Sequence, residues 1–200
     1  PYMSLADKLG LLAGQLAEGG LTAVTVEYEG AIAQLNTKPV TAAILAGLMK
    51  PFSDTVNMVN APAIAKDRNI DVSEVRHERE SDYHTLVRVS VKGSGTDRSV
   101  AGTLFGHKAP RLVELHGIKV EADLDGAMLF VINEDKPGFI GSLGTVLGAA
   151  GVNIGTFHLG RRSAGGQAIV LLSVDGDIND TVVRNIAAVP GVRQVKPLHF

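Results

Sequence analysis

No cysteine occurs among the 200 residues. Disulfides and thiol catalysis are therefore excluded, and a reducing compartment is compatible with the chain. No apolar run approaches the ~18 residues that a membrane-spanning helix needs, and no signal peptide is visible. Those two absences lead to the expectation of a cytoplasmic location without a membrane partner. A large charge of one sign is also missing. The formal net charge is −2, which gives no pull toward nucleic acid or anionic lipid. The six histidines at 77, 84, 107, 116, 158 and 199 have no metal-ligand spacing such as HExxH, so no metal is expected. The chain starts at Pro1 and not at a methionine, and the expectation is that it is cut from something longer. What is plentiful is apolar content, 45%, enough for the cores of one large domain or two small ones.

The stretch from Met128 to Arg161 is the most informative. The apolar run Met128 to Ile132 ends in the polar turn Asn133-Glu134-Asp135-Lys136-Pro137-Gly138. Ile140, Leu143, Leu147 and Ala150 then recur at helical spacing, and Gly151 stops the helix. Val152, Ile154, Thr156 and His158 alternate at strand period. The unit is strand, loop, helix, strand. Pro137 and Gly138 stand at the helix entry, where free amides suit a carboxylate. Asn133, Asp135 and Asn153 offer acceptors for an ammonium group. An amino-acid zwitterion needs both.

After residue 161, Ala164-Gly165-Gly166 reads as a hairpin loop and Gln167 to Val174 as an apolar strand. A helix starts at Asn179 or Asp180 with Val182, Val183 and Ile186 inward, and a strand runs from Val192 to Leu198. The order βαββαβ predicts a ferredoxin-like sandwich over residues 126–200. Residues 1–125 read as a mixed αβ domain, with Asp123 to Gly126 as the boundary. It has a helix with Leu5, Leu9, Leu12 and Leu16 inward, Ser4 as its cap and Gly19-Gly20 as its stop. A strand follows over Thr22–Glu29, then a helix from Thr37 to Met49 capped by Thr37. Further on come a short strand at Val56–Val59, a short helix capped by Asn60 and an edge strand at Ser73–Arg79. The remaining strands are Thr85–Lys92, Ser99–Phe105, Leu112–Leu115 and Ile118–Ala122, with Gly93-Ser94-Gly95 as a turn. The fold class is α+β.

The pattern INEDKPGFIGSLGTVLGAAGVNI resembles the start of an ACT domain, a small amino-acid-binding regulatory module. TVEYEGAIAQLNTKPVTAAILAGLM, VNMVNAPAIAKDRNI and PRLVELHGIKVEADLDGAMLFVINEDKPG resemble the intervening domain of the long D-3-phosphoglycerate dehydrogenases. The resemblance covers the whole chain. It implies the regulatory portion of an NAD-dependent oxidoreductase of L-serine synthesis, without its catalytic domains. Several expectations follow from it. The chain alone is inactive and holds no cofactor, NAD belonging to the parent enzyme. L-Serine binds at Asn133, Asp135, Pro137, Gly138 and Asn153, with Asn133 the least constrained in kind. ACT domains self-associate side by side into a homodimer or tetramer. An anion such as phosphate or substrate is implied at His107, Lys108 and Arg111, with Lys119 nearby. A solvated basic loop is the plainer reading of those residues. An Asx turn before Pro137 and a helix-end cap are the plainer readings of the Asn and Asp set.

Two other functions compete. One is a stand-alone amino-acid-binding module that regulates another protein. The other is a nucleotide-binding module, because Gly138, Gly141 and Gly144 open a helix after a strand. Their spacing is GxxGxxG and not GxGxxG, and Glu134 and Asp135 would repel a pyrophosphate. Arg161 and Arg162 end the next strand, where a 2′-phosphate would want them. For Gly141, Gly144 and Gly148 the plainer role is close approach of the helix to a sheet or partner. No catalytic constellation is present: His158 sits in a strand, and Asp82 and His84 bracket Tyr83 without a nucleophile.

Overall fold

The computed structural model describes residues 1–18, 20–79, 81–93, 95 and 97–200. The expected helix stop at Gly19 and the turn at Ser94 fall outside the described residues. The chain forms two units, Pro1–Gly117 and Ile118–Phe200. The division precedes the expected Asp123–Gly126 segment.

The first unit contains α1 (Tyr2–Leu16), β1 (Leu21–Gly30), α2 (Lys38–Met49), α3 (Ala61–Asp67), β2 (Asp71–His77), β3 (Thr85–Gly93), β4 (Arg98–Phe105) and β5 (Ala109–Leu115). The strands lie in the order β2-β1-β3-β4-β5. The β1–β2 pair is parallel, bridged by α2 and α3, and the others are antiparallel. Leu5, Leu9, Leu12 and Leu16 are buried, as their spacing requires. The helix begins at Tyr2 with Pro1 at its cap, so Ser4 lies inside the first turn. The contact of α1 with α2 depends on glycine. A Cβ at Gly10 or Gly14 would run into the carbonyl oxygen of Ile44 or Leu48.

Three local expectations fail for one reason, the preference of short polar side chains for nearby backbone or carboxylate partners. Thr37 does not cap α2. It is fully buried and donates to Glu74 Oε2 at 2.9 Å. Val56–Val59 is a turn and not a strand. Asn57 Oδ1 accepts the N–H groups of Val59 and Asn60 at 2.9 and 3.1 Å, and Asn60 Oδ1 accepts that of Asn57 at 2.7 Å. Asn60 is thereby withdrawn from capping α3.

Glu74 also accepts a hydrogen bond from Thr41, whose hydroxyl lies 2.6 Å from that of the buried Tyr28. Burial pushes the Tyr28 phenol up to about 12. An acid whose folded pKa is raised stabilises the fold below its unfolded pKa and loses that contribution as pH rises. Stability is therefore expected to fall by roughly 2–3 kcal/mol between pH 10 and 12. Alkaline denaturation of Tyr28→Phe, compared with the parent chain, checks this: the variant should lack that part of the loss.

The second unit contains β6 (Ile118–Ala122), β7 (Ala127–Glu134), α4 (Phe139–Ala149), β8 (Asn153–Arg161), β9 (Gln167–Asp175), α5 (Asp180–Ala187) and β10 (Val192–His199). From β7 onward this is a ferredoxin-like βαββαβ sandwich, with the antiparallel sheet β10-β7-β9-β8. Leu129, Val131, Val170 and Leu172 of the sheet pack with Leu143, Leu147, Val182 and Ile186 of the helices. Asn179 caps α5 through the Val182 N–H at 3.0 Å. Phe139 and not Ile140 enters the core of α4; Ile140 is 53% exposed, one position off the expected face. β6 lies against β8, where the absence of a Cβ at Gly160 lets the Lys119 carbonyl come close. Among the described residues, no helix is long and apolar enough to cross a membrane.

Candidate functional site

The end of β7 and the entry of α4 bring four of the five expected effector residues together. Asn133 is the last inward residue of β7 and is 1% exposed. Its Nδ2 donates to the Glu134 carbonyl at 2.9 Å, while its Oδ1 has no partner. A buried acceptor without a donor is uncommon and marks a place where an added donor would be satisfied. Gly138, at the α4 N-cap, has φ +90°, a conformation that a side chain would strain. The first turn of α4 has no side-chain cap and no acidic residue, and the Phe139 N–H donates to the Lys136 carbonyl at 3.4 Å; an uncapped helix N-terminus of this kind suits an anion.

The hairpin loop between β8 and β9 fixes Asp135. Its N–H donates to the Gly166 carbonyl at 2.8 Å, and its Oδ2 accepts from the Gly165 N–H at 3.1 Å and from Arg161 Nη1 at 2.6 Å. The Arg161 guanidinium and then the Gly165 amide hold the Asp135 carboxyl below the usual carboxylate range. Lys136, at 2.7 Å, and Arg193 do the same for Glu134. Neither Arg161 nor Arg193 stands out in the sequence for this role. Each is a long way along the chain from the loop, and only sheet register brings it there.

Asn153 is not part of this cluster within one chain. It opens β8 opposite Asp175, to which its Nδ2 donates at 2.7 Å, whereas Arg161 at the far end of β8 is opposite Ala168. Ala168 is also the neighbour of Asn133. Asn153 therefore stands seven sheet positions from the Asp135 end, roughly 23 Å at strand rise. β8 is the edge of its sheet, and Leu159 on it is 38% exposed. A Cβ at Gly141, Gly144 or Gly148 would meet nothing within 4 Å. These glycines are thus not needed for approach to the chain's own sheet, and the expectation on that side is corrected.

In the first unit, Gly106 and His107 both have left-handed φ, +58° and +62°, at the tip of the β4–β5 hairpin. The His107 ring meets the His84 ring edge-on at 4.5 Å. The Arg111 guanidinium lies over the Phe105 ring at 5.0 Å, and its buried Nε has no partner. Lys108 is exposed on the same turn, and Lys119 belongs to the second unit. Among the described residues, no group of three or more potential ligands could hold a metal ion.

A mixed αβ unit followed by a ferredoxin-like module with a polar helix-entry loop defines a two-unit α+β class. Residues 1–116 match the D-3-phosphoglycerate dehydrogenase intervening domain and residues 127–191 the ACT domain, and the chain belongs to that intervening-domain family. A Bacillus subtilis protein named D-3-phosphoglycerate dehydrogenase is 37% identical over 197 residues, which cover 98% of this chain and 38% of that one. The Methanocaldococcus jannaschii protein of the same name is 32% identical over 201 residues, covering 100% of this chain and 38% of the relative. That of Synechocystis is 34% identical over 195 residues, covering 96% and 35%. The chain thus spans little more than a third of the length of these relatives.

Proposed function

We propose that this chain is the regulatory portion of an NAD-dependent D-3-phosphoglycerate dehydrogenase, that its ACT domain binds L-serine, and that two ACT domains share each effector site. One observation carries the reading: Asp135 and Asn153 stand at opposite ends of the unpaired edge strand β8. A two-fold pairing of β8 with β8 of a second copy is antiparallel. It brings Asn153 of one chain to the Asp135 end of the other, twice over. The exposed Ile140 and the open glycines of α4 then supply a close-packed flank. The carboxylate of serine faces the α4 amides, its ammonium faces Asp135, and the amide of Asn153 reaches it from the neighbour.

A ligand that bridges two chains stabilises the assembled state by mass action. Serine bound preferentially to one quaternary arrangement alters distant catalytic domains by the same linkage. Sedimentation velocity is the test. The chain should run as a dimer or larger, with L-serine lowering its dissociation constant. Dissociation that L-serine leaves unchanged contradicts the shared site. The purified chain should show no turnover of NAD with 3-phosphoglycerate.

We also propose a second ligand at the β4–β5 hairpin, an anion such as phosphate, supported by the exposed Lys108 on the turn and by the Arg111 Nε that has no partner. Phosphate should then raise the melting temperature. Lys108→Ala with Arg111→Ala should abolish that rise; an unchanged rise in the double variant returns these residues to plain surface.

A further inference from the structure

Arg161 occupies the position at Asp135 that an effector's ammonium group would take. Its Nη1 lies 2.6 Å from Asp135 Oδ2, yet the pair is open to water, the side chains being 51% and 22% exposed. Exposed pairs of this kind add little to the stability of a fold, so opening this one costs little. The two partners are not equally mobile. Asp135 is held through its own N–H on Gly166 and through the Gly165 N–H on its carboxylate, and neither contact involves Arg161. Arg161 is held at the last position of β8 by its backbone, and its long side chain can turn. Opening the pair therefore leaves a fixed carboxylate and a movable guanidinium side by side. An α-amino acid presents the complementary pair, an ammonium and a carboxylate separated by one carbon. The planar guanidinium fork matches a carboxylate with two parallel hydrogen bonds, which a lysine ammonium cannot reproduce. Glu134 already carries Lys136 and Arg193 as its own cations.

Resting on the effector reading above, we propose that the ligand inserts into the Asp135–Arg161 pair. Its ammonium takes over Asp135, and the displaced Arg161 closes on its α-carboxylate together with the α4 amides. Two ion pairs replace one, and no charge is left without a partner. Arg161 becomes the residue that demands a free α-carboxylate, and effector binding moves a side chain at the end of the seam strand.

Calorimetry on the 200-residue chain tests this with L-serine and with L-serinamide, which keeps the ammonium and lacks the carboxylate. The parent chain should bind L-serine at least tenfold more tightly than L-serinamide. Arg161→Gln should weaken L-serine at least tenfold and bring the two ligands level. Arg161→Lys, which keeps the charge without the fork, should fall between. Circular dichroism and the thermal midpoint verify that the variants fold. Arg161→Gln binding L-serine as tightly as the parent, or more tightly, overturns the proposal: Arg161 would then be a bystander or a competitor for Asp135, with the effector site intact. Equal affinity of the parent chain for both ligands overturns it even if Arg161→Gln does not fold. Absence of any L-serine binding to the parent chain defeats the effector reading itself and the proposal with it.

Discussion

An equimolar mixture of Asp135→Ala and Asn153→Ala chains should regain L-serine binding that neither variant has alone. Each substitution removes one partner of a charge-assisted or buried hydrogen bond, at a cost of about 1–3 kcal/mol, or roughly five- to 150-fold in affinity. In either homodimer both sites carry that loss. In a mixed dimer the antiparallel seam sorts the residues differently. One site takes Asp135 and Asn153 from the two unaltered positions, and the other takes both alanines. Up to half of the mixture is mixed dimer after random re-association, so about a quarter of all sites should bind L-serine at the parent's strength. A site built within one chain predicts no recovery at all. Calorimetric titration of the mixture, after dilution and reconcentration to exchange the chains, checks the number.

Gly14→Ala, in α1, should unfold the first unit at a markedly lower temperature. Alanine is the better helix former by ~1 kcal/mol, so on propensity alone the substitution would stabilise α1. The packing outweighs it. The new methyl would collide with the Leu48 carbonyl oxygen, a backbone atom that cannot rotate away. α1 and α2 would have to separate, loosening Leu12, Leu16, Ile44 and Leu48, all buried in this core. Overpacking of this kind costs typically about 1–3 kcal/mol and occasionally more. The thermal midpoint should fall by roughly 5–15 °C for a unit of this size. The same change at Gly144, where a Cβ meets open space, should leave the midpoint of the isolated chain unchanged or raised. Differential scanning calorimetry of the two variants side by side separates the cases.

These two glycines also mark where the sequence was legible and where it was not. The βαββαβ order could be read from period alone, because long apolar strands and an amphipathic α5 leave few alternatives. The start of α5 at Asn179 or Asp180 and Ala164-Gly165-Gly166 as a hairpin could be read for the same local reasons. Ile140 and Phe139 are adjacent and both apolar, and a helix entered through a left-handed Gly138 turns the face by one residue. Val56–Val59 has strand composition, but the reciprocal Asn57–Asn60 hydrogen bonds outcompete a ladder. Gly10 and Gly14 look like ordinary helix glycines until α2 is placed against them. For the loop between β7 and α4, the acceptors were legible as chemistry. The pairing of Asp135 with Arg161 and the distance from Asp135 to Asn153 were not, since both depend on the register of β8 against β9.

A stereospecific amino-acid site shared across a seam between two chains is open to titration calorimetry with L-serine and D-serine, run on samples whose association state is followed by sedimentation. The enantiomers carry identical charges, so only a site that fixes ammonium, carboxylate and hydroxymethyl group at once can tell them apart. A shared site should give heat from L-serine alone, close to one ligand per chain, with association strengthened as the sites fill. Equal heats from the two enantiomers, or tight L-serine binding by a chain that remains monomeric throughout, would contradict it.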